Sequence, residues 1–506
     1  MAGESLGTIL RTAHRLPVQQ PWPRYEVDST QWLAIGQTIA GGGGDLIGLW
    51  ASPDSVHLAL RSSDFETPCV VSLPVTDGTF PSIGRLHAPA IRLERAIRDL
   101  HGFTPEDCPD SRPWLDHGSW GVSAPLGASQ EAPLRDPAAY EFLPVRGRGL
   151  HQVPVGPVHA GIIEPGHFRF TANGETVVRL EERFGYVHKG IGRLLAGAGF
   201  DRAARIIARL SGDSTVAYSF AYARALEAAL GVSVPPRAQI LRGVMAELER
   251  IANHFGDIGA ICNDAAFAIA HAHCGIFRER ILAVCDRTFG HRLMMDRIVP
   301  GGVTTDIAPA TAADMVATLD EITPRFAEIV RLYDQTPSLQ DRTCTTGIVS
   351  KALVDRWAAG GHVGRASGRD FDTRRDCSYP PYDSVPLTVP VFERGDVDAR
   401  VWVRIREVEA SMTLLKAWLG ALPQGPVFAD LPERSQAAEG IAMIEAFRGD
   451  LLVWLRIADG KIVCAHARDA SHFQWQLLEA AIEGNIVADF PLCNKSFNCS
   501  YSGHDG

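Results

Sequence analysis

The first hundred residues alternate between short apolar runs and turn residues. Runs at 46–50, 56–60 and 69–73 have strand length and predict strands. At 90–100 the spacing changes, and Ile91, Ala96, Ile97 and Leu100 fall on one face of a helix. From 122 to 155 Pro, Gly and Ala accumulate and the stretch reads as a linker. Residues 167–172 and 175–181 flank Asn173-Gly174, a strong short-range hairpin signal. Helical spacing then dominates at 200–230, 237–261, 264–290, 309–333 and 400–421, rich in Ala and Leu, as suits a helix bundle. A second hairpin at 451–458 and 462–466 turns on Asp459-Gly460. A helix at 472–483 and a C-terminal tail follow. The expected fold class is α+β: a small N-terminal α/β domain over 1–125, a linker over 126–155, and a mainly helical bundle domain with peripheral β-hairpins over 156–506.

Composition narrows the class. With 46% hydrophobic and 21% charged residues, the 506-residue chain has the make-up of a globular protein with ample core. A formal charge of −10 argues against a nucleic-acid partner. No window offers the roughly 18 apolar residues of a spanning helix. The opening MAGESLGTILRTAHRL lacks the apolar segment of a signal peptide. The ten cysteines contain no Cys-x-x-Cys pair, which argues against a zinc ribbon or a cluster-binding run. Cys262, Cys274 and Cys285 lie in or beside helical apolar patterns and read as buried small hydrophobes.

Several motifs follow one another in order. They are Gly156-Pro-Val-His159, Glu164-Pro-Gly-His-Phe168, Tyr186-Val-His-Lys-Gly190, Ala246-Glu-Leu-Glu-Arg-Ile-Ala-Asn-His254, Arg297-Ile-Val-Pro-Gly-Gly-Val303, Asp341-Arg-Thr343 and Ala366-Ser-Gly-Arg-Asp-Phe-Asp-Thr-Arg-Arg375. Together they resemble the large subunit of membrane-bound nickel–iron hydrogenases of the group 4, formate-hydrogenlyase or hydrogenase-4 type. They also resemble the related 49-kDa, quinone-cavity subunit of respiratory complex I. The segment 93–103, followed by Cys108-Pro-Asp-Ser-Arg112, is similar to the end of complex I's 30-kDa subunit, which implies a docking role for residues 1–125.

The resemblance lapses where the metals would sit. After Arg209 the hydrogenase pattern is Cys-x-x-Cys, and this chain has Ser211 and Ser214. The late pair falls on Ser496 and Cys499, with Asn494-Lys495 replacing Asp-Pro. A nickel–iron centre needs four thiolates, and a hydroxyl is far less acidic than a thiol of pKa about 8.5. The expectation is therefore no directly bound cofactor and no metal. The resemblance implies that an iron–sulfur cluster belongs to a partner subunit, that a quinone is a candidate substrate and that any NAD chemistry lies on another subunit.

His167 is the counterpart of the complex I histidine that holds a quinone head group, while Gly212 falls where that family has its tyrosine. Asp213, His159, His167 and His188 could exchange protons at the cavity. Each histidine could equally hydrogen-bond backbone in a buried corner, and Ser211, Ser214 and Asp213 could cap the following helix. Arg374-Arg375-Asp376 reads either as part of an ion-pair network or as solvated charge. The resemblance implies a subunit peripheral to the cytoplasmic side of the cell membrane, held by an iron–sulfur small subunit and by antiporter-like and other integral membrane subunits. It would couple electron transfer to proton movement. A working nickel–iron hydrogenase and a non-catalytic scaffold are the alternatives.

Overall fold

The three apolar runs near the N-terminus form an antiparallel meander. In the computed structural model, which describes residues 4–161, 163–433 and 435–506, Asp45–Ser52 pairs with Ser55–Arg61, and Ser55–Arg61 with Cys69–Pro74. Arg24–Glu26 adds a strand parallel to Cys69–Pro74, and His14–Leu16 closes a five-stranded sheet. Both faces are covered, which is why these strands read as near-continuous apolar runs. Trp32, Ile35 and Ile39 of the helix Ser29–Ala40 and Leu93 and Ile97 of the helix Ile91–His101 pack with Leu46, Leu58 and Val71. On the other face, Ile47, Trp50 and Val70 meet Ile441, Leu452 and Trp454 of a second sheet.

That second sheet contains Ala438–Ala446, Gly449–Ala458 and Lys461–Arg468, paired antiparallel. Its fourth strand, Gln19–Gln20, comes from the N-terminus and runs parallel to Ala438–Ala446. Just beyond it, Arg24 donates from Nη1 to both carboxylate oxygens of Glu439 at 2.5 and 2.6 Å, with the side chains 5% and 4% exposed. An apolar seam and a buried ion pair thus lock the N-terminal sheet to the C-terminal one.

The helices Pro236–Asp264, Ala268–Phe289, Pro309–Gln335 and Val397–Gly420 form the bundle. Thr215–Leu230 packs directly on the second sheet, where Gly440 is required because a Cβ there would collide with the carbonyl oxygen of Ala225. Among the described residues, no helix is long and apolar enough to cross a membrane.

Three expectations need correction. The helix expected over 200–230 is two, Phe200–Ile207 and Thr215–Leu230, separated by an extended Ser211 and a short 3-10 turn at Gly212–Ser214. Ser and Asp side chains compete for backbone groups and favour such breaks. The segment read as a linker holds a strand, Leu150–Val155, which adds to the 167–183 hairpin, and a small ladder between Val122–Ser123 and Gln130–Glu131. Finally, the tail forms the helices Phe490–Phe497 and Tyr501–Asp505, buried against Phe168, Phe184 and Trp475.

Candidate functional site

The break between the two helices sets the site. Ser211 and Ser214 flank the turn, with Asp213 between them. The Ser211 hydroxyl donates to Asp213 Oδ1 at 2.8 Å and lies 2.9 Å from the hydroxyl of Ser500, so the early motif meets the chain just past the late one. Ser214 donates to the same carboxylate oxygen at 3.3 Å. Into this group comes Arg448, from the turn between Ala438–Ala446 and Gly449–Ala458. Its Nη1 and Nη2 donate to Asp213 Oδ1 and Oδ2 at 2.9 and 2.6 Å, and Nη1 also reaches Ser214 Oγ at 3.0 Å. Asn498 O accepts from Arg448 Nε at 2.5 Å. Asn253 Nδ2, from the Asn-His motif, fixes the carbonyl of Asp213 at 2.9 Å.

The electrostatics follow from this packing. Partial burial pushes the Asp213 carboxyl up, but the adjoining Arg448 charge and the donated hydrogen bonds outweigh it and hold the group down at about 2. Asp213 is therefore the fixed counter-ion of Arg448, not a proton acceptor near neutrality. Nor do the serines cap the next helix: Ser214 is its N-cap residue without a side-chain capping bond. Glu249 takes that role, accepting from the N–H groups of Val216 and Ala217 at 2.8 and 3.1 Å. Burial pushes Glu249 up to about 8 against those two bonds, and nearby Asp213 adds to the rise.

The late positions are equally occupied. Ser496 donates to Cys493 O at 2.6 Å and accepts from Arg400 Nε at 2.9 Å. Burial pulls Arg400 down to about 10, since its other partners are the carbonyls of Gly395 and Gly347. Cys499 is buried, its sulfur 4.0 Å from Gln474 Oε1, and burial raises its thiol well above the usual range. Among the described residues no group of three or more His, Cys, Asp or Glu side chains is arranged to hold a metal ion.

The three histidines separate. His159 Nε2 lies 2.7 Å from Gly166 O, and His167 Nδ1 lies 3.3 Å from Gly156 O, so the two cross-brace one loop. Their ring neighbours are Phe168 and Phe142, and among the described residues neither bonds to Asp213. Burial lowers His167 below its ordinary value. His188 bonds through Nδ1 to Asp505 O at 2.7 Å, stacks on Trp120 at 4.8 Å, and lines a cavity of about 420 Å³. The Arg374-Arg375 pair splits. Arg374 is buried between Asp372 and Glu247, whereas Arg375 lies nearer the surface beside Asp370 and Asp376. No motif announced Arg448 or Ser500, though Ser500 adjoins Cys499, and Glu249 lay within the 246–254 motif without anything there marking its role.

Comparison with known proteins gives the relationship. Residues 267–440 match the family "Respiratory-chain NADH dehydrogenase, 49 Kd subunit". The carbon monoxide-induced hydrogenase of Rhodospirillum rubrum is 30% identical over 350 residues, covering 69% of this chain and 97% of that protein. The chain belongs to the 49-kDa subunit family. Within that family, hydrogenase-4 component G of Escherichia coli (strain K12) is 28% identical over 463 residues, 89% of this chain and 80% of the relative. An NADH-quinone oxidoreductase subunit of Dehalococcoides mccartyi (strain ATCC BAA-2266 / KCTC 15142 / 195) is 31% identical over 310 residues, 60% and 84% of the two chains. The 49-kDa fold is also seen in a chain of the membrane-bound sulfane sulfur reductase, an archaeal respiratory membrane complex. The TM-score is 0.67 at 22% identity, over 71% of this chain and 99% of that one.

Proposed function

We propose that this 49-kDa-family chain is a peripheral subunit of a membrane-bound, complex-I-like oxidoreductase that couples electron transfer to proton movement without a nickel–iron centre. The observation that carries the reading is the Arg448–Asp213 ion pair, which ties up the hydroxyls of Ser211 and Ser214. The donor set does not fit soft metals. It offers three hydroxyls, one buried thiol and a guanidinium, whereas nickel and iron of this type need thiolates. Adding a divalent cation beside Arg448 would further oppose like charges.

In this reading an iron–sulfur small subunit carries the cluster, antiporter-like and other integral membrane subunits hold the chain at the cytoplasmic face, and a quinone is the candidate acceptor. The relatives named for membrane-bound hydrogenases and NADH-quinone oxidoreductases support that setting. Metal analysis of the purified native assembly tests it. The expected result is iron from clusters and nickel far below one per complex. One nickel per complex would overturn the reading and favour a hydrogenase.

A further inference from the structure

Two carboxylates share one guanidinium where three parts of the chain meet. Arg92, from the helix Ile91–His101 of the N-terminal region, reaches Glu182 at 3.2 Å and Glu479 at 2.6 Å. Glu182 lies in the strand Thr176–Arg183 and Glu479 in the C-terminal helix Ser471–Ile482. The ring of Trp114 lies 4.7 Å from the guanidinium and steadies it. Two negative charges against one positive charge leave the junction one proton short of balance, and a dry site carries net charge at a high cost.

The surroundings of the two carboxyls differ, and they decide which one takes the proton. Glu479 has the shorter ion pair, also accepts from Glu182 N at 2.8 Å, and keeps 22% of its side chain exposed. Glu182 has 0% of its side chain exposed, and its Oε1 is buried without a partner among the described residues. Phe168 stands opposite it in the ladder, and Phe184 and Trp475 belong to the same apolar core. A bare carboxylate oxygen is costly in such a place, whereas the neutral acid is tolerated. Burial and the Glu479 charge raise Glu182 well above the ordinary carboxyl range, against the pull of Arg92.

The other charges near the junction are engaged elsewhere. In the strand, Glu181 is held by Arg112 and by Leu143 N, while Arg183 donates to Pro113 O and lies over the ring of Tyr140. On the arginine's own helix, Glu94 and Asp99 accept from backbone N–H groups at 83–84 and 114–116, and Arg95 pairs with Asp110. Beyond the C-terminal helix, the exposed Glu483 adds only a like charge beside Glu479. From the tail, Cys499 and Tyr501 are kept neutral by burial, and His504 lies against Asp505 Oδ1.

We propose that Arg92, Glu182 and Glu479 form a proton-held clasp between the N-terminal region and the C-terminal helix. With a proton on Glu182 the clasp is neutral and closed. When that proton passes to solvent, two carboxylates face one guanidinium, and the helix Ile91–His101 loosens from its seat. Because the folded carboxyl is raised, the contribution of the clasp is full below 4.5 and is lost as pH rises through the folded value. The clasp lies outside the Ser211–Arg448 group and stands whether or not the chain serves an electron-transfer assembly.

Infrared spectroscopy of the full chain tests the proton, through the carbonyl stretch that a carboxylic acid has and a carboxylate lacks. The unaltered chain is expected to keep such a band at pH 9, after Glu249 has ionised. Glu182→Gln removes it. Glu479→Gln removes it too, because Arg92 then has Glu182 alone to balance it, whereas Glu181→Gln leaves it in place. Absence of the band from the unaltered chain overturns the clasp without requiring any variant to fold, and so does a band that persists in folded Glu479→Gln. Hydrogen exchange of residues 91–101, corrected for the intrinsic effect of pH, tests the loosening. Once the proton is released, exchange should quicken by up to about tenfold per pH unit, and Glu182→Gln should remove that dependence. Exchange that ignores pH in the unaltered chain, or that keeps its full dependence in Glu182→Gln, also overturns the clasp.

Discussion

Arg448 grips Asp213 with both terminal nitrogens across 235 residues of sequence. The two partners are unequally placed, since the Arg448 side chain is 5% exposed and that of Asp213 is 40% exposed. Removing the carboxylate strands a buried guanidinium, whereas removing the guanidinium leaves a carboxylate that water can reach. Asp213→Asn should therefore cost more than Arg448→Met, about 2–4 kcal/mol against about 1–2 kcal/mol after allowing for solvent screening. Urea denaturation of both variants decides the order, and equal losses would contradict it.

Stability should also depend on pH through Glu249. Its folded carboxyl is raised from 4.5 to about 8, so between those values the folded chain holds a proton that the unfolded chain has released. Its contribution is full below about 4.5 and is lost as pH rises through about 8. Asp213 has the opposite sign: its contribution is present above 3.8 and is lost as pH falls toward about 2. Denaturation midpoints between pH 6 and 9 should fall in the unaltered chain and flatten in Glu249→Gln. An unchanged slope would remove Glu249 from the account.

Restoring the missing thiols should not restore a metal centre. In a Ser211→Cys, Ser214→Cys, Ser496→Cys variant, Arg448 still faces the early pair and Arg400 still faces residue 496. Elemental analysis of this variant, produced beside an active nickel-insertion system, is expected to give nickel well below one per chain. Stoichiometric nickel would show that the serines alone exclude it.

Glu439→Gln should open the seam between the two sheets. That carboxylate answers both Arg24 and Arg456, the first fully buried, so its neutralisation leaves arginine charge uncompensated. A loss of about 3–5 kcal/mol is expected, together with faster proteolysis within residues 1–40 under native conditions. Stability within about 0.5 kcal/mol of the unaltered chain would mean that the apolar contacts alone hold the seam.

Local features were legible in the sequence, and long-range ones were not. The Asp459-Gly460 hairpin, the helix expected over 309–333 and the hairpin expected at Asn173-Gly174, which turns one residue later at Gly174-Glu175 with Asn173 in the strand, each rest on turn chemistry or periodicity within a few residues. The exchange of thiols for hydroxyls at 211, 214 and 496 was visible because single residues changed within a resembling frame. What fills the space was not visible, because Arg448 reaches the serines only through the sheet that positions its turn. The reading of 126–155 as a linker overlooked Leu150–Val155, whose six residues are half exposed and interrupted by Pro154. The tail looked featureless because its helices are short and stabilised by burial against Phe168 and Phe184 rather than by their own spacing.

The strand Gln19–Gln20 has a consequence for biosynthesis. Its neighbour in the sheet, Glu439, leaves the ribosome 415 residues after Arg24 has emerged. At about 5–20 residues per second, the N-terminal segment waits on the order of 20–80 s with its sheet partner unmade. During that interval Arg24 lacks its carboxylate and Trp22 lacks the surface that later buries it. The newborn chain thus carries its first strand unpaired on that side long before it can close on itself.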